Sequence, residues 1–132
     1  MEEIGSSDPG TRHWPAEIRY KREDKRLEVD FDNGMTFAYP AEYLRVESPS
    51  AEVQGHGPGQ KQIVPGRRHV GIMEIEPVGN YAVRLKFDDL HDTGIYSWAY
   101  LYTLGEEQEA RWSAYLSALE EKGLSREPAG RG

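Results

Sequence analysis

The sequence predicts one α+β domain, made of an antiparallel β meander, a second β-hairpin, short helices and a C-terminal amphipathic helix. Three observations predict it. Apolar and charged residues alternate in two separate stretches, Ile18 to Phe31 and Val70 to Phe87, which gives strands with one wet face. Trp112, Tyr115, Leu116 and Leu119 recur at helical spacing. The chain has 132 residues, enough for one domain with a genuine core and too few for two.

Residues 1–13 are rich in Gly, Ser, Asp and Pro without periodicity and read as a disordered tail. The domain is expected over 14–123, and 124–132 read as a second disordered tail. Ile18 and Tyr20 open the meander, and Leu27, Val29 and Phe31 form its second strand. Asn33-Gly34 fits a type I′ turn, because both residues tolerate positive φ, and Met35 to Tyr39 is the return strand. Pro40 to Arg45 suits a short helix with Pro in its first turn, ending near Ser48-Pro49. Ser50 to Arg68 holds four Gly and two Pro and reads as a long surface loop.

Val70 to Glu76 alternates again, with Val70 and Ile72 directed at the core and Met73 and Ile75 as further candidates. A turn at Pro77-Val78-Gly79-Asn80 leads to Tyr81, Val83, Leu85 and Phe87 on one face. Asp88 to Gly94 is a polar loop. Ile95 to Tyr102 fits strand alternation and also helical spacing, and the spacing of Ile95, Trp98, Ala99 and Tyr102 favours a short helix. Thr103 and Glu106 have the spacing of a capping box for the last helix, and Lys122-Gly123 supplies its end.

Composition excludes several functions. No cysteine is present, so disulfides, thiolate metal sites and a cysteine nucleophile are ruled out. The net charge is −7, with 23 acidic against 16 basic residues, which disfavours nucleic-acid binding through phosphates. The N-terminal Met-Glu-Glu-Ile lacks the basic and apolar regions of a signal peptide. No apolar run approaches the ~20 residues that span a bilayer. A cytoplasmic location is therefore expected, with no membrane partner.

Four histidines, His13, His56, His69 and His91, form neither an iron facial triad nor a His-Glu-x-x-His helix. His91 lies among Asp88, Asp89 and Asp92, where carboxylates can orient an imidazole. No nucleophile elbow and no phosphate-cradling glycine loop is written, so no catalytic residue and no cofactor is expected.

The segments Leu44 to Val53, Gly55-His56-Gly57, Gly79 to Ala82 and Phe87 to Trp98 occur in one order. Together they resemble the gamma-butyrobetaine-hydroxylase-like N-terminal domain family, over about Pro15 to Leu119. That resemblance implies a module that precedes an oxoglutarate-dependent oxygenase, stands alone in bacteria, or is fused to P-loop ATPases of the iron–sulfur carrier type. It also implies a structural zinc held by three Cys and one His, whose positions fall here on Ser48, Ser50, Val53 and His91. Ser is a poor zinc ligand and Val is none, so the resemblance implies the fold without the metal. A hydrogen bond from Ser48 or Ser50 near His91 is expected to do the metal's tying. Leu90 departs from the family pattern, in which Gly is commoner there.

The expected function is a non-catalytic binding or accessory module for a protein partner, linked to iron–sulfur carrier or oxygenase systems. Its candidate surface is His56, Asp88, Asp89, His91, Asp92, Tyr96 and Trp98, because loops on a rigid scaffold commonly carry recognition. The alternative is a metal- or small-ligand-binding domain using His91 and neighbouring acidic residues.

Overall fold

A computed structural model of the chain describes residues 13–55 and 59–128. The element order is β1 (Pro15–Lys21), β2 (Arg26–Phe31), β3 (Thr36–Pro40), α1 (Ala41–Val46), α2 (Ala51–Gln54), β4 (Ile72–Val78), β5 (Ala82–Phe87), β6 (Gly94–Ser97), α3 (Trp98–Glu106) and α4 (Gln108–Glu121). Two three-stranded antiparallel sheets result, ordered β1-β2-β3 and β4-β5-β6, and the α+β architecture is as the sequence predicts. Each sheet joins strands adjacent in sequence, so short turns supply every connection.

Alternation decides which face is buried. Leu27, Val29 and Phe31 point inward from β2, and Val83, Leu85 and Phe87 from β5. These six residues join Leu101 and Leu104 of α3 in one apolar cluster, so a single core draws on both sheets. The outward positions pair their charges. Arg19 meets Glu28 and Asp30 on the first sheet, and Arg84 and Lys86 meet Glu76 on the second. Such exposed pairs contribute little individually, and their role is to keep the outer faces wet.

Several local expectations change. Only Gly34 of the Asn33-Gly34 pair has positive φ, at 89°. Phe31 N donates to Met35 O and Gly34 N to Phe31 O, so the hairpin is a three-residue loop with one left-handed residue, rather than type I′. Pro40 is the N-cap of α1, one place before the helix. The Ser50–Arg68 loop contains α2, which Ser50 caps by accepting from Glu52 N at 3.1 Å. Met73 sits at a bulge between Ile72 and Glu74 and is exposed, leaving Ile72 and the half-buried Ile75 facing inward.

The Ile95–Tyr102 ambiguity resolves into both states. Gly94 to Ser97 pairs with β5 as a strand, and α3 starts at Trp98. Ser97 caps α3, its Oγ accepting from Tyr100 N at 3.1 Å, while α4 follows from Glu107 with no side-chain cap. Thr103 therefore lies inside α3 and caps nothing, since Glu107 N donates to its backbone carbonyl and carries the helical ladder on towards α4. In α4, Tyr115 and Leu119 are buried, Trp112 is half-buried and Leu116 is exposed. Gly123 ends the helix at φ 67°, as expected.

Gly105 sits near the end of α3, where glycine costs roughly 0.5–1 kcal/mol relative to alanine. A Cβ there would stand 2.3 Å from the Phe37 ring, which explains its presence. Residues 124–128, expected within the second disordered tail, are ordered against the domain. Gly66 N and Arg68 N donate to Ser125 O and Arg126 O, tying this segment down.

Five tyrosines pin the elements together. Tyr39 OH donates to Leu101 O, Tyr43 OH to Leu104 O, Tyr96 OH to Leu44 O, Tyr100 OH to Glu47 O and Tyr115 OH to Val64 O. Leu44 and Leu104 lie in the last turns of α1 and α3, where carbonyls lack intrahelical donors. Burial pushes the phenols up, to about 12 for Tyr100 and Tyr115 and further for Tyr39, Tyr43 and Tyr96. All five therefore remain donors at neutral pH.

Candidate functional site

The Phe87–Gly94 loop is a tight, closed turn. Phe87 N donates to His91 O at 2.9 Å, and Leu90 N to Phe87 O at 3.0 Å. Leu90 has φ 73°, the left-handed conformation that glycine adopts without penalty. This is where the family pattern favours Gly, so the loop keeps the backbone shape with an L side chain in it. That side chain is 82% exposed.

Behind the tip the loop is anchored by charge. Asp89 Oδ2 accepts from Arg45 Nε at 2.8 Å and from Arg67 Nε at 2.6 Å, while Oδ1 accepts from His91 N at 3.2 Å. Burial works to raise the Asp89 carboxyl, but Arg45, the His91 amide and Arg67 outweigh it and hold it below the usual carboxylate range.

His91 is 5% exposed and bonded through both ring nitrogens. Its Nδ1 lies 3.0 Å from Glu52 Oε1, and its Nε2 lies 2.9 Å from Ser48 Oγ. Burial and then the Arg45 charge lower its pKa against the pull of Glu52 and Asp89, so the ring is neutral. A carboxylate only accepts, so the proton sits on Nδ1 and Ser48 donates to Nε2. Ser48 Oγ in turn accepts from Ser50 N, and Ser50 Oγ lies 2.7 Å from Thr93 Oγ1. The expected Ser48–His91 bond is therefore present, with a second hydroxyl bridge beside it. Gly94 completes the fit, since a Cβ there would stand 2.6 Å from Ser48 Oγ.

These residues do not fit a zinc ion. Val53 is buried and has no donor atom, the two serines carry hydroxyls, and both His91 nitrogens are engaged. Among the described residues no group of three or more His, Cys, Asp or Glu could hold a metal ion. Nor does Ser48–His91–Glu52 make a hydrolytic triad. Ser48 is fully buried and its Oγ is packed under Gly94, so no substrate carbonyl can reach it.

The expected surface is thus only partly a surface. Asp88 and Asp92 are exposed and Asp89 is half-buried. Tyr96 and Trp98 are in the core, Tyr96 at 0% and Trp98 at 8% exposure, so neither can anchor a partner. Tyr96 faces inward with its partner Val83 across β5–β6, and Trp98, the first residue of α3, donates its indole N–H to Asn80 O at 2.9 Å. His56 lies outside the described residues. Reading the sequence missed Arg67 and Glu52 as parts of the network, since nothing local marks a partner more than twenty residues away.

Acid is expected to loosen this tie. A neutral, buried His91 with a lowered pKa leaves the unfolded chain binding more protons below about pH 6.5, so stability falls as pH drops through that value. The lowered Asp89 contributes stability above about pH 3.9 that is lost as pH falls through its folded pKa. Urea midpoints measured from pH 7 to 5 should decline for the native chain and flatten in His91→Asn. Equal slopes would show that His91 does not carry this dependence.

Fold and tie together define an α+β domain in which two loops are clasped by hydroxyl, imidazole and carboxylate groups. The family model described as gamma-butyrobetaine hydroxylase-like, N-terminal, matches residues 18–102, and the chain belongs to that family. Two proteins solved by NMR are similar. One is 46% identical with a TM-score of 0.78, covering 96% of this chain and 92% of its own. The other is 41% identical with a TM-score of 0.77, covering 88% and 91%. A crystal structure of a protein of unknown function from Acidithiobacillus ferrooxidans ATCC 23270, assigned to the DUF971 family, is 44% identical with a TM-score of 0.60 and covers 75% of this chain and 98% of its own. No curated protein matches the chain. Among the described residues no helix is long and apolar enough to cross a membrane.

Proposed function

We propose that the domain is a non-catalytic accessory module that engages a protein partner through the Asp88–Ile95 loop, with Leu90 as its apolar contact. The observation that carries this reading is Leu90 itself, 82% exposed at φ 73° on a loop fixed from behind by Asp89 and His91. A left-handed L-residue costs roughly 1–2 kcal/mol, and such strain concentrates at functional positions. Exposed Asp88, Asp92 and Ile95 flank it and supply a mixed polar and apolar rim. Domains of this kind adjoin oxygenase or iron–sulfur carrier domains in the proteins it resembles, so such chains are the first partners to try.

Leu90→Gly should raise the unfolding free energy by about 0.5–1 kcal/mol, the left-handed penalty less the added chain entropy of glycine. The same variant should lose a partner that the native chain retains in crosslinked pull-downs. A more stable variant that still holds every partner would sink the reading.

A further inference from the structure

A groove runs between Pro40 and Tyr43, the α3–α4 junction and Arg126, with a volume of about 820 Å³. We propose that this groove is an arginine-recognition site for an extended, arginine-bearing segment of a protein partner, occupied in the free domain by Arg126. Its lining shares no residue with the Asp88–Ile95 loop.

The chain itself displays the recognition. Arg126 Nη2 donates to Glu42 Oε1 at 2.7 Å and Nε to Glu42 Oε2 at 2.9 Å, a two-pronged pair of the kind that selects guanidinium over ammonium. The same guanidinium carbon lies 5.2 Å from the centre of the Trp112 ring, which is braced edge-on by Tyr43. Glu42 is prepared for this, because its side chain is only 6% exposed and its carboxylate needs a cationic partner wherever one comes from.

Two features point beyond an internal tie. The groove is far larger than one guanidinium, and its remaining wall carries exposed Leu116 with Glu106 and Glu109. Among the described residues neither glutamate makes an ion pair. An apolar wall with unpaired carboxylates matches a basic segment with apolar neighbours. It does not match a second copy of this chain, whose net charge of −7 would repel the first. The occupying strap is held by few contacts of its own side chains. Beyond the Glu42 fork and the Trp112 ring it contributes two backbone acceptors, to Gly66 and Arg68, an exposed Arg68–Glu127 pair and a His69–Glu127 contact at 4.0 Å. A partner's arginine restores the fork that displacement breaks.

The test titrates the full chain with the capped peptide Ala-Leu-Arg-Leu-Arg-Ala and a control bearing Gln for Arg, following the Trp112 indole resonance. Removing the internal competitor in Arg126→Gln should tighten binding of the Arg peptide about tenfold, because the apparent Kd is the intrinsic Kd divided by the fraction of open sites. Adding Glu42→Gln should abolish the gain, and the Gln peptide should stay unbound throughout. Arg126→Lys, which keeps the charge without the fork, should fall between and guards against loss of fold in the first variant. No saturable shift in any folded variant, or equal response to both peptides, would leave Arg126 as an internal tie only and overturn the proposal.

Discussion

Tyr96→Ala is expected to cost about 3–5 kcal/mol of unfolding free energy, among the largest single-residue effects in the domain. Tyr96 is fully buried between the second sheet and α1, and its ring packs in the main apolar cluster. Alanine would leave an apolar cavity and also orphan the Leu44 carbonyl, which has no helical donor. Tyr96→Phe separates the two terms. It keeps the ring and removes the hydroxyl, so its cost should be about 1–3 kcal/mol, that of leaving one buried acceptor unpaired. Urea titration of both variants gives the comparison. A phenylalanine variant as stable as the native chain would show that the α1 end does not depend on this hydroxyl.

The second large effect is expected at Arg45. Its side chain is 9% exposed, its Nε donates to Asp89, and its Nη1 has no partner. Arg45→Met strands a largely buried carboxylate, which normally costs about 3–5 kcal/mol. Here the loss should lie at or somewhat below the lower bound, because Arg67 remains on the same Asp89 oxygen and an unsatisfied donor is removed. Coupling provides the sharper test. The double variant Arg45→Met with Asp89→Leu should recover much of the loss, since an apolar replacement of both partners is often neutral. Strictly additive losses, measured by denaturant unfolding, would show that the two side chains act independently.

What was legible in the sequence follows physical range. Strand faces were legible because side chains alternate every second residue, and Leu27, Val29, Phe31, Val83, Leu85 and Phe87 all point as their spacing says. The Ser48–His91 tie was legible only through a resemblance that implies metal ligands at those positions. Helix starts were less so. Thr103-x-x-Glu106 imitates a cap for the last helix but lies within α3, which Ser97 caps, and only the pairing of β6 with β5 shows where the strand stops. Tyr96 and Trp98 looked like surface aromatics because the loop beside them is polar, yet β6 turns Tyr96 inward and the first turn of α3 buries Trp98. The groove was invisible for a simpler reason. Glu42 and Arg126 are 84 residues apart, and no local pattern marks charges that meet only after folding.

The tyrosine pins bear on time as well as on stability. Each sheet closes through neighbouring strands, within residues 15–40 and 72–97, so both can assemble locally and quickly. The five hydroxyl bonds instead join residues 51 to 62 positions apart. Loop closure of that length is entropically late, so these bonds belong to the side of the barrier facing the native state. They set how long a folded molecule lasts before it opens, more than how fast it forms.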